Sequence, residues 1–145
     1  MSNKLVLASS SPRRRMIVKL LDVDFDLVSP GIYERTPEFG EDPVVYCAQL
    51  ALSKAQTVFK NCDSNQIVLG VDTIVTLEGR IMGKPVSTAQ AAEMLQSLRD
   101  KNHLVYTAIA LVTGSNCRVL ERVTSTRVSM RNYSDEEIAD YIGAG

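Results

Sequence analysis

The residues best suited to bind a ligand form the run Ser9-Ser10-Ser11-Pro12-Arg13-Arg14-Arg15, directly after the apolar run Leu5-Val6-Leu7-Ala8. Ser is a favourable N-cap and Pro fits the first helical position, so Ser11-Pro12 predicts a strand-to-helix turn. Arginines in a first helical turn are unfavourable unless an anion lies nearby, because the helix dipole is positive there. Hydroxyl groups, free backbone N–H groups and a guanidinium together suit a phosphate. A basic, solvated turn is the alternative, and these residues alone favour neither interpretation.

The helical spacing distinguishes the arginines of this run. Arg13 falls on the same side as the apolar residues that follow it, which are Met16, Ile17, Leu20 and Leu21, whereas Arg15 falls on the opposite side. We therefore expect Arg13 to point inwards, towards whatever binds at the turn, and Arg15 to be replaceable.

Three further charged residues stand out because of their surroundings. Asp72 interrupts the most β-rich segment, Ile67 to Leu77, and a buried unpaired carboxylate is costly, so Asp72 must be paired, bind a metal or face a cleft. Lys54 lies at the edge of a helical apolar stripe, where spacing alone favours an ammonium that reaches solvent. Lys84 precedes Pro85, which suits a presented ammonium, although a solvent-facing loop lysine is the more common case.

The elements that must position these residues alternate between strand and helix patterns. Periodicity, capping residues and turn residues predict the following order: a strand at 5–8, a helix from Ser11-Pro12, a strand at 24–29, a loop at 31–41 that contains Glu34, a helix from Asp42-Pro43 to about 60, a strand at 67–77, a turn at 78–80, a helix at 87–98, a hairpin of 103–112 with 117–130, and a last helix from Ser134 that ends at Gly143-Ala144-Gly145.

Composition limits the classes of function. The chain has 145 residues, enough for one domain, with 16 Lys and Arg against 17 Asp and Glu, so no net positive charge attracts nucleic acid or membrane. Neither a membrane span nor a signal peptide is found after Met1, so we expect a cytoplasmic protein. Cys47, Cys62 and Cys117 are too far apart for a disulfide framework or zinc site, and His103 is the single histidine.

Five motifs in register resemble one family, the Maf-like nucleoside triphosphate pyrophosphatases, a group once linked to inhibition of septum formation. They are Ser9-Ser10-Ser11-Pro12-Arg13-Arg14, Leu50-Ala51-Leu52-Ser53-Lys54-Ala55, Val71-Asp72-Thr73-Ile74-Val75, Gly83-Lys84-Pro85 and His103-Leu104-Val105-Tyr106-Thr107. The resemblance implies an α/β fold with an elongated mixed sheet flanked by helices and a cleft between two lobes, similar to inosine-triphosphate pyrophosphatases. It also implies hydrolysis of a nucleoside triphosphate to the monophosphate and pyrophosphate with a divalent metal.

The resemblance also implies roles for individual residues. Asp72 matches the proton acceptor, and Lys54 and Lys84 match lysines that neutralise charge on the leaving pyrophosphate. Glu34 matches an acidic position near the metal, where it would serve with Asp72 as a ligand of Mg²⁺ or Mn²⁺. The residues that match substrate-binding positions are Ser9, Ser11, Arg13, Arg14 and Thr73.

Two motifs bear on the substrate. Family members that act on dTTP and UTP have Pro-Arg-Arg and Asp-Thr, as in Pro12-Arg13-Arg14 and Asp72-Thr73, whereas those that act on 7-methyl-GTP tend to have Pro-Trp-Arg and Asp-Gln. We therefore expect dTTP and UTP as substrates. Strand alternation places Asp72 and Thr73 on opposite faces, so both reach one cleft only where the strand bulges or ends.

The chain also departs from the family pattern. The acidic loop, often Asp-Ile-Asp-Glu, is here Gly31-Ile32-Tyr33-Glu34, so we expect weaker metal affinity. The family continues into Gly-Glu-Pro and Ala-Gly-Ala-Tyr segments, whereas this chain stops at Gly145, so we expect a truncated or shortened single Maf-like domain. Apolar surface left open in this way predicts a homodimer. The alternatives are a nucleotide-binding protein without useful turnover and a division-arrest regulator that acts through a protein partner.

Overall fold

The computed structural model describes residues 4–144, which form one mixed sheet with four helices. The bounds, in chain order, are β1 Lys4–Ala8, α1 Pro12–Lys19, β2 Phe25–Val28, α2 Pro43–Phe59, β3 Gln66–Leu77, β4 Arg80–Met82, α3 Thr88–Leu98, β5 Asn102–Thr113, β6 Arg118–Ser129 and α4 Asp135–Gly143. These bounds confirm the predicted order of strands and helices, and they add the short strand β4, which begins at Arg80 within the predicted turn. The predictions for Met1 and for Gly145 lie outside the described residues.

The sheet has the strand order β2-β1-β3-β5-β6, and the short β4 also pairs with β3. The strands β2, β1 and β3 are parallel, whereas the pairs β3–β5 and β5–β6 are antiparallel. After β1 the chain passes to β2 on one side and then to β3 on the other. The carboxyl end of β1 is thus a topological switch point, where open α/β sheets bind ligands, and Ser9 begins the turn there.

Capping residues explain where α1 and α2 begin. The Ser11 hydroxyl accepts a hydrogen bond from the Arg14 backbone N–H at 3.5 Å. An Asp42 carboxylate oxygen accepts one from the Val44 N–H at 2.8 Å. Both helices have Pro at their first position, where the missing N–H costs nothing, which confirms the two predicted starts.

Helix α2 covers one face of the sheet and buries most of the core there. The buried apolar residues of α2 are Tyr46, Cys47, Leu50, Ala51, Ala55 and Val58, whereas Val44 is 42% exposed. The helix approaches most closely at Gly70, where a Cβ atom would lie only 2.1 Å from the Ala51 carbonyl oxygen. Only glycine therefore permits this contact between α2 and β3.

On the opposite face, α1 packs against the sheet through Val18, the one buried residue of that helix. Val18 packs with Leu7 of β1 and Val71 of β3. The apolar residues expected to face inwards are instead exposed by 62–83%: these are Met16, Ile17, Leu20 and Leu21. The predicted inward side of α1 is therefore wrong. The helix packs through Val18, and Arg14, one turn before Val18, lies on the same side of the helix.

Helices α3 and α4 form a smaller lobe at the open end of the β5–β6 hairpin. The Arg99 side chain joins them by donating to the Tyr133 carbonyl at 3.0 Å and to Asp135 at 2.9 Å. A cavity of about 270 Å³ separates this lobe from α2, with Met94 and Leu98 on one side and Leu50 on the other. Among residues 4–144, no helix has both the length and the hydropathy that crossing a membrane requires.

Candidate active site

A cleft of about 450 Å³ opens at the carboxyl end of β1, between the serine-rich turn, the loop that follows β2, and β3. All of the predicted site residues line it, although they come from five separate segments of the chain. They are Ser9, Ser11, Arg13, Arg14, Glu34, Lys54, Asp72, Thr73 and Lys84. The structure thus brings the predicted residues to one place.

Asp72 and Lys54 form a buried ion pair at the base of the cleft. Their side chains are only 6% and 7% exposed, and the Lys54 ammonium donates a short hydrogen bond to an Asp72 carboxylate oxygen. Spacing alone favoured a solvent-reaching Lys54, and that expectation is wrong because α2 directs the ammonium at Asp72. Burial raises the pKa of Asp72 above its ordinary value, and the Lys54 hydrogen bond offsets only part of the rise.

Glu34 extends this pair towards solvent. One of its carboxylate oxygens lies 2.7 Å from the Lys54 nitrogen and the other 2.8 Å from the Lys84 nitrogen. Burial raises the pKa of Glu34, but the hydrogen bonds from both lysines outweigh burial, so the pKa lies below its ordinary value. Charges therefore alternate along the order Asp72, Lys54, Glu34, Lys84, from the buried base of the cleft to an ammonium that is 82% exposed.

The serine-rich turn is held together by side-chain hydrogen bonds. Ser9 is 2% exposed, and its hydroxyl accepts from the Ser11 N–H at 3.1 Å and from the Arg14 guanidinium at 3.4 Å. Arg14 also donates to the Thr73 hydroxyl across the cleft at 3.5 Å. The inward guanidinium is thus that of Arg14, whereas Arg13, expected to point inwards, lines the cleft as an exposed side chain.

The end of β1 explains how neighbouring residues on opposite faces of β3 line the same cleft. Pairing of β3 with β5 continues without a bulge through Asp72 and Thr73. The last pair between β1 and β3, however, joins Ala8 to Gly70. Between Gly70 and Val75, where β4 begins to pair with β3, this edge of β3 has no neighbouring strand, so side chains from both faces reach the open space.

Two residues near Asp72 were not singled out as site residues by the sequence. The Thr107 hydroxyl lies 3.1 Å from that of Thr73, a contact that follows from strand register and from the quoted His103-to-Thr107 motif. The Cys47 thiol lies behind the site and donates to the Asp72 carbonyl at 3.5 Å. Burial raises the pKa of Cys47 to about 11, so this thiol packs and does not act as a nucleophile.

The donor set for a divalent cation is small. No group of three or more His, Cys, Asp or Glu side chains that could hold a metal occurs within the described range 4–144. Glu34 and Asp72 line the cleft together. Mg²⁺ usually combines one or two carboxylates with water and substrate phosphates, so this pair fits a cation that arrives with its nucleotide.

Comparisons with known proteins bear on the family and the fold of this chain. A dTTP/UTP pyrophosphatase of Dictyoglomus turgidum is 38% identical over 145 residues, which is 100% of this chain and 75% of the relative. One from Thermotoga maritima is 41% identical over 140 residues, which is 96% of this chain and 66% of the relative. A solved nucleoside-triphosphatase / dITP/XTP pyrophosphatase from Mycobacterium abscessus aligns with a TM-score of 0.55 at 21% identity, covering 87% of this chain and 73% of that one.

The solved structure, at that identity, shows the fold alone, and it confirms the predicted mixed α/β architecture related to inosine-triphosphate pyrophosphatases. The sequence relatives extend the likeness over the whole of this chain. A family model described as Maf-like protein matches residues 4–145, so the chain belongs to the Maf-like protein family.

Proposed function

We propose that this chain is a nucleoside triphosphate pyrophosphatase that hydrolyses dTTP and UTP to the monophosphate and pyrophosphate. The relatives that cover the whole chain carry the name dTTP/UTP pyrophosphatase, which supports this activity and substrate class. Two motifs support the same substrates, dTTP and UTP. They are Pro12-Arg13-Arg14 and Asp72-Thr73, and all of their residues except Pro12 line one cleft.

The observation that carries the proposal is the buried Asp72–Lys54 pair facing the serine-rich turn across one cleft. A carboxylate with a raised pKa is a stronger base than an exposed one and is therefore suited to accept a proton from water. The opposite wall supplies the Arg14 guanidinium and hydroxyl groups at a helix N-terminus, which suit phosphate oxygens.

These positions support the following reaction. Asp72 accepts a proton from a water molecule as the water oxygen forms a bond to the α-phosphorus. The bond from the α-phosphorus to the oxygen that bridges it to the β-phosphorus breaks, and the electron pair leaves with pyrophosphate. The buried Lys54 and the exposed Lys84, which each contact one oxygen of Glu34, stabilise the negative charge that develops on the leaving group.

We propose Glu34 and Asp72 as the residues that hold Mg²⁺ or Mn²⁺. When bound, such an ion neutralises phosphate charge and polarises the phosphoryl oxygens. Lys54 then has a second use, because its ammonium contacts both carboxylates and offsets their mutual repulsion before substrate enters.

An assay of pyrophosphate release distinguishes this enzyme from a protein that only binds nucleotides. The chain is incubated with dTTP, UTP, CTP or 7-methyl-GTP and with Mg²⁺ or Mn²⁺, and the Asp72→Asn variant is the comparison. We expect release from dTTP and UTP that the substitution abolishes. Tight nucleotide binding without release under any of these conditions would contradict the enzymatic assignment and favour the binding protein.

We also propose that the protein is a cytoplasmic homodimer. Four apolar side chains on α1, Met16, Ile17, Leu20 and Leu21, are exposed by more than 60%, and β6 forms an exposed edge of the sheet. A second copy would cover such surface. Light scattering at micromolar concentration tests this, and a monomer under those conditions contradicts it.

A further inference from the structure

Arg35, the residue directly after Glu34, is bound on several sides. Its guanidinium donates to both carboxylate oxygens of Glu41, in one case at 2.8 Å, and to the Gln49 side chain at 2.8 Å. The guanidinium carbon lies 4.6 Å from the centre of the Tyr46 ring. The Tyr46 hydroxyl in turn donates to the Arg35 carbonyl at 2.6 Å. We call Arg35, Glu41, Gln49 and Tyr46 the Arg35 clamp.

The Arg35 clamp connects the loop to the helix that carries Lys54. The segment 29–38 has no regular secondary structure, so no ladder of backbone hydrogen bonds holds Glu34 in place. Tyr46 and Lys54 are both buried on one side of α2, two helical turns apart. Helix α2 therefore holds residue 35 through Tyr46 and Gln49 and receives the Glu34 side chain at Lys54.

We propose that Arg35 is a positioning residue that holds Glu34 against Lys54 and Lys84. Arg35 itself does not line the cleft, and its guanidinium donates to Glu41 and Gln49, so it acts through its neighbour. Without the clamp, the Glu34 carboxylate samples positions away from the two ammonium groups. A displacement of about 1 Å in a catalytic arrangement can lower a rate by roughly a hundredfold, so we expect a loss of about tenfold to a hundredfold.

The chain offers a matched control in a second arginine clamp. Arg131 binds both carboxylate oxygens of Glu137, six residues later, as Arg35 binds Glu41. Its guanidinium carbon lies 5.8 Å from the Tyr133 ring centre. This pair belongs to the start of α4, and neither residue lines the cleft. Arg131→Ala thus removes a comparable two-point ion pair and ring contact at a distance from the site.

A double-mutant cycle tests whether Arg35 acts through Glu34. The variants are Arg35→Ala, Glu34→Gln and the double variant, with Arg35→Lys as the conservative replacement and Arg131→Ala as the control. The measured quantity is kcat/KM for dTTP, because the inference rests on the proposed function. We expect Arg35→Ala to lower it at least about tenfold in the starting protein and less than twofold in the Glu34→Gln background, with partial recovery in Arg35→Lys and no change in Arg131→Ala.

Two results would overturn the inference: equal losses in both backgrounds, which indicate a general structural role, and an unchanged kcat/KM in Arg35→Ala. If the starting protein releases no pyrophosphate, the proposed function fails, and the same cycle is measured as the Kd of α,β-methylene dUTP, which cannot be hydrolysed at that bond. A weaker Kd only where Glu34 is intact then supports the role of Arg35. Equal changes in both backgrounds, or no change, contradict it.

Discussion

Gly70 lies where helix α2 packs most closely against β3, two residues before Asp72 on the same face of the strand. An alanine Cβ there would lie 2.1 Å from the Ala51 carbonyl oxygen and 2.8 Å from the Ala55 backbone nitrogen. An ordinary contact begins at 3.4 Å, so α2 and β3 must separate by about 1.3 Å. Both nearest atoms belong to the helix backbone, so a side-chain rotation cannot relieve the clash.

Moving α2 away from β3 affects both the stability of the fold and the geometry of the active site. Overpacking of a core costs about 1–3 kcal/mol or more, and for a chain of this length each kcal/mol lowers Tm by about 4 °C. Lys54 follows Ala51 on the same helix, so the shift also draws its ammonium away from Asp72. We expect Gly70→Ala to lower Tm by about 4–12 °C and to lower kcat/KM at least about tenfold.

Thermal unfolding and pyrophosphate release, measured at a temperature well below the Tm of each variant, separate the two effects. Gly143→Ala is the matched control, because a Cβ at Gly143 meets nothing within 4 Å and the residue lies on α4. We expect this control to leave kcat/KM unchanged and to raise Tm by a few degrees at most, because alanine restricts the unfolded chain by about 0.4–1 kcal/mol. A Gly70→Ala protein with the starting Tm and activity would refute the reasoning that Gly70 sets the distance between Lys54 and Asp72.

Three further predictions test the electrostatics of the molecule. Lys54→Met removes the ammonium that lowers the pKa of Asp72. The fall of kcat/KM on the acidic side of its pH profile should therefore move to higher pH, and a profile that does not move contradicts Asp72 as the base. Arg35 lowers the pKa of Glu41 from 4.5 to about 2. Glu41 therefore stabilises the fold above pH 4.5 and loses this contribution as the pH falls towards 2. The Tm difference between the starting protein and Glu41→Gln should therefore shrink over that range, and a constant difference refutes it. Arg14→Ala should raise KM at least about tenfold, since a charged hydrogen bond contributes about 1.5–3 kcal/mol, whereas Arg15→Ala, outside the cleft, changes KM less than twofold. Equal effects of the two substitutions would show that orientation in α1 does not matter.

Local signals predicted the elements of the fold. The pairs Ser11-Pro12 and Asp42-Pro43 mark helix starts by a mechanism that acts within four residues, and the structure shows both caps. The β-rich segment around Asp72 was recognisable because a central strand is apolar on both faces. These signals depend only on neighbours in the sequence, which is why they could be read without coordinates.

Side-chain directions were harder to predict because they depend on distant contacts. Lys54 is buried because Asp72 and Glu34 both pair with its ammonium. The spacing of apolar residues along α2 does not predict those partners. The inward side of α1 was misjudged because that short helix has only one buried residue, Val18, while its wider apolar side is exposed. Hydrophobic spacing marks the inward side only where a helix is covered along its length.

The position of Thr73 beside Asp72 required knowledge of the sheet order. Alternation correctly places the two side chains on opposite faces, and the strand does not bulge between them. They line one cleft because β1 ends beside Gly70, and that endpoint follows from pairing between segments about 60 residues apart. Sequence spacing within β3 cannot supply it.

The central claim is that a water molecule activated by Asp72 attacks the α-phosphorus of a nucleoside triphosphate. Hydrolysis of dTTP in heavy-oxygen water, followed by mass spectrometry of both products, tests it most directly. We expect the heavy oxygen to enter the monophosphate, the pyrophosphate to stay unlabelled, and Asp72→Asn to form neither product. Label in the pyrophosphate would place the attack at the β-phosphorus, and undiminished labelling of the monophosphate by Asp72→Asn would exclude Asp72 as the base.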